Sequence, residues 1–444
     1  MSTPAAETPV TTAAIVAAID ATLAATGVWP GCRLAVAYSG GADSSALLHA
    51  LAASAHRDAV GAVHVNHGLQ PGADAWARHC ARICERLGLP FALLPAAVET
   101  APGDSVEAAA RQARYRALAA WLPAGTVLLT AQHADDQTET LLLQLLRGAG
   151  PAGLAAMPPL KPFGAGFLAR PLLGLSRAGL AEYVVRKRLD VIEDPSNADE
   201  RFDRNYLRRR VVPALVERWP GAVTAIGRSA RLSAETVALA DAWARHERRR
   251  LAGVAATLPV ATLQAAGSAR CRAIVRTWIR DDGRRVPPSR RLAAFVDSLE
   301  TAGPESRAEL VWDDGVVRTF AMRLYLGDAL PPFDTAAEFE LAPGSPLDLP
   351  AGLGTLVLGD AAPHAALKVR FRHGGERLRR GPGRPERRVK SVLRELGVVP
   401  WLRDRIPLLY AGETLVALGD LALNEAYFTA GGEALGWRDR PPVY

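Results

Sequence analysis

Cysteine is scarce in this chain: four residues in 444, at Cys32, Cys80, Cys84 and Cys271. They are too few and too scattered for a disulfide scaffold. Cys80 and Cys84 stand four apart on a predicted helix, yet no second pair accompanies them, so they read as packing residues and not as metal ligands. No apolar run reaches the roughly 18–20 residues that a membrane-spanning helix requires. The N-terminus has no basic n-region and Asp20 interrupts its apolar stretch, so no secretory signal is read there. The cytoplasm is the expected location. Met1 to Val10 reads as a polar, Pro-containing tail without fixed structure. Internal repeats are absent too.

What is present is a globular composition, 49% apolar and 22% charged, in a chain long enough for two or three domains. The net charge of +7 is unevenly spread. Residues 1–150 carry 9 Lys/Arg against 12 Asp/Glu, whereas residues 368–394 carry 11 against 2. A patch that concentrated implies a polyanion, nucleic acid foremost. The plain alternative is a solvated, arginine-rich loop.

Over the first ~215 residues short apolar segments alternate with helical patterns. Strands are predicted at Leu34–Tyr38, Val60–Val65, Phe91–Leu94, Thr126–Thr130 and Phe167–Arg170, and helices at Ser44–Ala53, Ala73–Leu87, Val106–Trp121, Asp136–Leu146 and Ser176–Arg188. Such alternation predicts an α/β domain, a doubly wound parallel sheet over residues 1–214. From Pro213 to Gly303 the strand pattern disappears; Ala222–Leu251 and Ala261–Arg280 are helical, giving a mainly helical domain over 215–330. Pro, Gly and Asp accumulate over Leu326–Pro350 and mark a boundary. A small α+β domain over 335–444 follows, with strands at Leu353–Leu358, Leu367–Phe371 and Leu408–Leu418 and a helix at Arg388–Leu396 ending at Gly397.

Four constellations carry chemistry. Ser39-Gly40-Gly41-Ala42-Asp43-Ser44 joins a strand to a helix, where backbone N–H groups suit phosphate. It lacks the Lys that a nucleoside-triphosphatase P-loop needs. Gly40 and Gly41 tolerate positive φ and close approach, and Asp43 beside phosphates calls for a cation such as Mg²⁺. A simple strand–helix turn capped by Asp43 or Ser44 is the alternative. Gln132–Thr140 reads either as a helix start, with Asp136 capping and Glu139 reaching back, or as paired carboxylates that grip an ammonium group, with His133 on the crevice floor. Glu107 and Arg111 are a surface i,i+4 pair, or else Arg111 or Arg114 faces inward to neutralise phosphate. Glu193–Asn197 precedes an arginine-studded helix with Arg204, Asn205, Arg208 and Arg209, which is a solvated face or a phosphate-backbone grip.

In this order the segments resemble the bacterial tRNA(Ile)-lysidine synthase family, within the PP-loop (N-type ATP pyrophosphatase) group. The residues carrying the resemblance are Ser39–Ser44, His64-Val-Asn-His-Gly-Leu-Gln70, Glu107–Arg111 with Arg114-Tyr115, and His133-Ala-Asp-Asp-Gln-Thr-Glu-Thr140. Arg147-Gly-Ala-Gly150, Gly153-Leu154, Met157, Arg170-Pro-Leu172, Glu193-Asp-Pro-Ser-Asn197 with Arg204-Asn205, and Pro400–Leu409 extend it over nearly the full length. Gln132 stands where a first His is usual, and Ser391 where a second Lys is common.

The resemblance implies an adenine nucleotide α-hydrolase-like fold and ligation of free L-lysine, with ATP, to C2 of the wobble cytidine in the isoleucine tRNA with a CAU anticodon. It implies that Ser39, Gly40, Gly41, Ala42, Asp43, Ser44, His64 and His133 bind ATP and that Asp43 carries Mg²⁺. Asp136 and Glu139 would handle the lysine amine, and Arg111 the phosphate charge. Arg204, Asn205, Arg208 and Arg209, with Arg379, Arg380, Arg387, Arg388 and Lys390 of the basic patch, would hold tRNA. A related tRNA 2-thiolase is the alternative within this chemistry; it needs a catalytic cysteine pair or cluster ligands, which the four cysteines do not form. A nucleotide-gated RNA-binding protein is the alternative outside it, and would need neither Asp136 nor Glu139. Monomer and homodimer both remain open.

Overall fold

The computed structural model describes residues 9–441 apart from 28, 69, 71, 99–105, 196–198, 252–256, 360–361, 364 and 429–433, and apart from the side chains of 106–108. The chain divides into two compact units, Met1–Ala240 and Asp241–Tyr444.

The first unit is built on one six-stranded sheet of β1 (Arg33–Ala37), β2 (Val60–Asn66), β3 (Phe91–Pro95), β4 (Thr126–Leu129), β5 (Leu160–Phe163) and β6 (Gly166–Ala169). The spatial order is β3-β2-β1-β4-β6-β5. Every pair is parallel except β5 with β6. Its helices are α1 (Thr12–Ala24), α2 (Ala42–Ala52), α3 (Ala73–Leu87), α4 (Val106–Trp121), α5 (Ala134–Leu146), α6 (Pro151–Leu154) and α7 (Arg177–Lys187).

Strand alternation explains how both faces are filled. Leu34 and Val36 of β1, with Val127 and Leu129 of β4, point into the larger core, which Ile15 of α1, Leu47 of α2, Ile83 of α3 and Leu180 of α7 complete. Ala35, Val63, Leu128 and Leu168 point the other way, against Leu118 of α4 and Leu122 just after it. The parallel sheet covered on both faces is as expected. The sequence reading did not include α1 or the edge strand β5. Residues 1–8 of the predicted tail lie outside the described residues, but Val10 is buried and packs against Gly179.

After α7 the chain turns back through Leu189–Ile192. It then forms α8 (Asp203–Tyr206), a π-helical stretch at Leu207–Val211, α9 (Val212–Arg218) and the long α10 (Ala222–Leu251). Pro213 offers no N–H to the Arg209 carbonyl, and the backbone widens there.

In the second unit β7 (Thr257–Pro259) precedes α11 (Val260–Ala266), α12 (Ser268–Asp281) and α13 (Ser289–Leu299). The helix predicted at Ala261–Arg280 is therefore two, broken where Gly267 takes φ +77°. An antiparallel meander of β8 (Glu309–Trp312), β9 (Gly315–Phe320) and β10 (Arg323–Gly327) joins β7 in a four-stranded sheet, β7-β10-β9-β8. The last ~115 residues are rich in strands: β11 (Phe339–Leu341), β12 (Leu347–Asp348), β13 (Thr355–Leu358), β14 (Leu367–Arg370), β15 (Arg377–Leu378) and β16 (Arg387–Arg388). Then come α14 (Val389–Glu395), β17 (Leu408–Ala411), β18 (Thr414–Leu418), β19 (Ala422–Leu423) and β20 (Leu435–Arg438). The strand predicted at Leu408–Leu418 is a hairpin turning at Gly412, φ +61°. Trp401 stacks edge-on against Phe320 and Tyr325, so the Pro400–Leu409 segment ties the two cores of this unit together.

Candidate active site

The glycine turn sits between β1 and α2, and its conformation depends on Gly40. That residue adopts φ +82°, and a Cβ there would lie 2.5 Å from Ile192 Cδ1 and 3.1 Å from Cys80 Sγ. The Ile192 N–H donates to the Gly40 carbonyl at 2.9 Å. Gly41 has an ordinary φ of −73° and is the N-cap of α2, so neither Asp43 nor Ser44 caps this helix. The first-turn N–H groups of α2 have no acceptor within the helix, the arrangement that suits an anion such as phosphate. Ser44 spends its hydroxyl inside the turn, donating to Gly41 O at 3.1 Å and lying 3.0 Å from Ser39 Oγ. Ser39 itself is exposed.

His64, at the end of β2, donates from Nδ1 to the Tyr38 carbonyl at 2.8 Å. Burial lowers its pKa, more than that hydrogen bond raises it, so the ring is neutral and Nε2 is left as an acceptor. His133 is the opposite case. It is 2% exposed and ringed by acids: Nε2 is 3.6 Å from Asp43 Oδ2 and 3.5 Å from Asp136 Oδ2, and Nδ1 is 3.6 Å from Asp135 Oδ2. Burial alone would lower its pKa, but Asp135 and Asp43, with the charge of Asp136, outweigh that and hold it up at about 10. His133 is therefore an imidazolium near neutral pH, linking the glycine turn to the start of α5.

His133 is also the N-cap of α5, and its N–H donates back to Asp136 Oδ2 at 3.1 Å. The capping box thus sits three residues earlier than the sequence reading placed it: Asp136 is the residue that reaches back, and Glu139 is free for other partners. Those partners are two arginines. Arg204 donates from Nε to Glu139 Oε2 at 2.7 Å and from Nη2 to Asp136 Oδ1 at 3.1 Å. Arg208 donates from Nε to Glu139 Oε1 at 2.6 Å and from Nη2 to Asp136 Oδ1 at 3.0 Å. Glu139 is only 1% exposed, and the Arg204 and Arg208 side chains 22% and 20%. The paired charges satisfy what burial would otherwise penalise.

Three family descriptions match along the chain: a PP-loop domain over 17–215, a TilS substrate binding domain over 258–325 and a TilS substrate C-terminal domain over 367–438. The tRNA(Ile)-lysidine synthase of Methylococcus capsulatus is 42% identical over 412 residues, spanning 88% of this chain and 92% of its own. That of Pectobacterium atrosepticum is 41% identical over 396 residues, spanning 87% and 90%. That of Pseudomonas aeruginosa is 42% identical over 426 residues, spanning 92% and 93%. This chain belongs to the tRNA(Ile)-lysidine synthase family.

In this member of the lysidine synthase family, Asp43, His133, Asp136 and Glu139 come together as one connected set, with Arg204 and Arg208 added to it. The sequence reading placed those two arginines on tRNA; here they hold the acid pair. Their spacing of four was a signal that they share a side, and the acids at 136 and 139 were the available counter-charges. Arg209 lies further out, paired with Glu200, and Asn205 Nδ2 donates to the Asp199 carbonyl. Arg111 stands apart, over the Tyr115 ring at 5.0 Å. The Glu107 side chain and Ser196-Asn197 lie outside the described residues. In the second unit Arg388 and Lys390 line a cavity with Arg372 and Arg377, and Arg387 pairs with Glu395. Arg379 and Arg380 are exposed. Cys80 and Cys84 are fully buried, and burial raises their pKa values to about 12 and about 11. Thiols so protonated are poor nucleophiles, and the thiolase alternative is not favoured. Among the described residues no helix is long and apolar enough to cross a membrane.

Proposed function

We propose that this chain is a tRNA(Ile)-lysidine synthase, joining free L-lysine to C2 of the wobble cytidine of the CAU-anticodon isoleucine tRNA at the expense of ATP. The observation that carries this reading is the convergence of Asp43 and Asp136 on one side of His133, at 3.6 and 3.5 Å. It joins a phosphate-binding turn to an acid pair suited to an amine, the two parts that adenylation followed by amination requires.

In the first step the cytosine C2 carbonyl oxygen attacks the α-phosphorus of ATP, and the bond to diphosphate breaks. Ser39, Gly40, Gly41, Ala42 and Ser44 shape the turn whose N–H groups hold the β- and γ-phosphates, leaving the α-phosphate open. His64, neutral and with a free acceptor nitrogen, and the His133 imidazolium lie along the same nucleotide. Arg111 offsets charge developing on the phosphate. In the second step the neutral ε-amine of lysine attacks C2, the C2–O bond breaks, and AMP leaves with that oxygen. Asp136 and Glu139 hold the ammonium and take up its proton, since only the free amine is nucleophilic.

Asp43 is the residue suited to Mg²⁺, a hard ion that takes one or two carboxylates and completes its shell with phosphate oxygens and water. Bound there, the ion would neutralise phosphate charge. Arg209, Arg379, Arg380, Arg388 and Lys390 offer tRNA phosphate contacts, and the reaction belongs in the cytoplasm. The test is purified protein with ATP, radiolabelled lysine and tRNA transcripts. Label should enter only the CAU-anticodon isoleucine tRNA; no label in any tRNA would falsify the proposal.

A further inference from the structure

The two carboxylates suited to the amine are engaged by the protein itself. A carboxylate offers about four acceptor positions. On Glu139 three guanidinium N–H groups donate: Arg208 Nε to Oε1 at 2.6 Å, with Arg204 Nε at 2.7 Å and Arg208 Nη2 at 3.0 Å to Oε2. On Asp136, Oδ1 accepts from Nη2 of both arginines and Oδ2 accepts the His133 N–H. Glu139 is 1% exposed, so solvent hardly touches what is left of it.

The arginines are carried by short, irregular helix. α8 is a single turn, Asp203–Tyr206, and Arg208 lies in the π-helical stretch Leu207–Val211, a geometry that is rare and recurs at functional sites. Burial works against the Arg208 charge, but Glu139, with the charges of Asp136 and Asp43, outweighs it and raises the pKa. The guanidinium groups are thus kept in place by the carboxylates, and another cation offered to those carboxylates competes for the same position.

Adenylation opens C2 of the cytidine to any nucleophile, and water is far more abundant than an amine. When the oxygen of water bonds to C2, the C2–O bond to the phosphoryl group breaks and AMP leaves with that oxygen. The water gives up both protons, the first of them to a base, and cytidine is regenerated. ATP has then become AMP and diphosphate with nothing joined to the tRNA.

A carboxylate placed to take a proton from lysine can also take one from water. Charge is what separates the two nucleophiles. Lysine arrives as an ammonium and can replace a guanidinium as counter-ion. Water is neutral, and to reach Glu139 it must leave a buried carboxylate without its compensating cation.

We propose that Arg204 and Arg208 guard the acid pair against water, releasing it only to an incoming ammonium, so that adenylated tRNA is aminated and not hydrolysed. In this role they are positioning residues, acting through Asp136 and Glu139. The inference rests on the lysine-ligation reading.

The experiment measures AMP release from labelled ATP and the isoleucine transcript, with and without lysine. The proteins are wild type, Arg204→Met, Arg208→Met, Arg208→Lys and the double variant Arg208→Met/Glu139→Gln. Without lysine, wild type should release AMP at least ~100-fold more slowly than with it, the contribution of a general base denied to water. Each Met variant should raise the lysine-independent rate roughly tenfold or more, part of that factor because one arginine remains. In the double variant the gain should vanish, since the base has gone with the guard. Arg208→Lys keeps a cation beside Glu139 and should show a smaller rise; where the Met variants fail to fold, no rise in Arg208→Lys overturns the guard. An unchanged lysine-independent rate in Met variants that are folded by circular dichroism overturns it, as does a gain that survives Glu139→Gln. So does a fall in both rates together, which a merely structural ion pair would give. Wild type that transfers no lysine overturns the ligation reading, and this inference with it. Wild type that transfers lysine yet releases AMP equally fast without it overturns the guard alone.

Discussion

Arg208 holds Glu139 through two nitrogens, Nε to Oε1 at 2.6 Å and Nη2 to Oε2 at 3.0 Å. With Arg204 on the same carboxylate, the acid suited to the lysine amine is already occupied by guanidinium. Under the proposed function an arriving ammonium would have to exchange with an arginine, since Glu139 is not an empty acidic pocket. Arg208→Ala should therefore separate two effects. Stability should fall by roughly 1–3 kcal/mol, because a nearly buried carboxylate loses part of its compensation. Urea unfolding measures this. KM for lysine should not rise in proportion, since one competitor for Glu139 has gone; a large rise in KM would mean that Arg208 touches the substrate.

Glu139→Gln keeps the shape of the side chain and removes its charge. It should leave adenylation of the tRNA within a few-fold of wild type while lysine transfer falls at least ~100-fold, the scale of a missing general base. Adenylated tRNA should then accumulate in a single-turnover reaction. Full lysine transfer by the variant would exclude Glu139 as the proton acceptor.

Asp43→Asn should abolish tRNA-dependent pyrophosphate release, at least ~100-fold, as expected for losing the carboxylate suited to a phosphate-bound cation. The variant also removes one acid from His133. Its folding should be checked by circular dichroism and denaturation, so that inactivity is not confused with unfolding.

His133 gives a pH dependence of defined sign. Its folded pKa of about 10 lies above the ordinary value of 6.5. The stability it contributes is fully present below pH ~6.5 and is lost as pH rises toward about 10. Wild-type unfolding free energy should decline across that window, by an amount on the order of a few kcal/mol at most. In His133→Gln the decline should be shallower. Parallel pH profiles for the two proteins would show that the ring is neutral in the folded state.

In the basic patch the arginines are not equivalent. Arg387 is paired with Glu395, whereas Arg379 and Arg380 are exposed and make no ion pair within 4 Å among the described residues, although the charge of Arg380 also reaches Glu395. Neutralising Arg379 and Arg380 should weaken tRNA binding and reduce its salt slope by about one for each phosphate that is no longer neutralised. Neutralising Arg387 should do less. Filter binding over a salt series distinguishes them.

The sequence was most informative where periodicity is strong. The parallel strands and the helices at 73–87, 106–121 and 222–251 were legible because apolar alternation and helical spacing persist over many residues. The edge strand β5 was not, being short and covered on one side only. The meander at 309–327 also escaped, since its strands are brief and interrupted by turns. At the site, the glycine turn and the acid pair could be read from residue type and spacing. The arginine partners of Asp136 and Glu139 could not. They lie 65 to 72 residues away in sequence, and only the return of the chain past Ile192 brings them back.

The glycine turn rests on Ile192 from one direction and Cys80 from another, and both fill the volume that a side chain on Gly40 would claim. Grafting Ser39–Ser44 between a strand and a helix of another protein would carry over the letters without their floor. A fragment of this chain stopped at Arg188 would keep the turn and lose half of what presses on it. The smallest portable unit of this turn therefore reaches at least through Ile192, and designs that aim to borrow it should begin from that length.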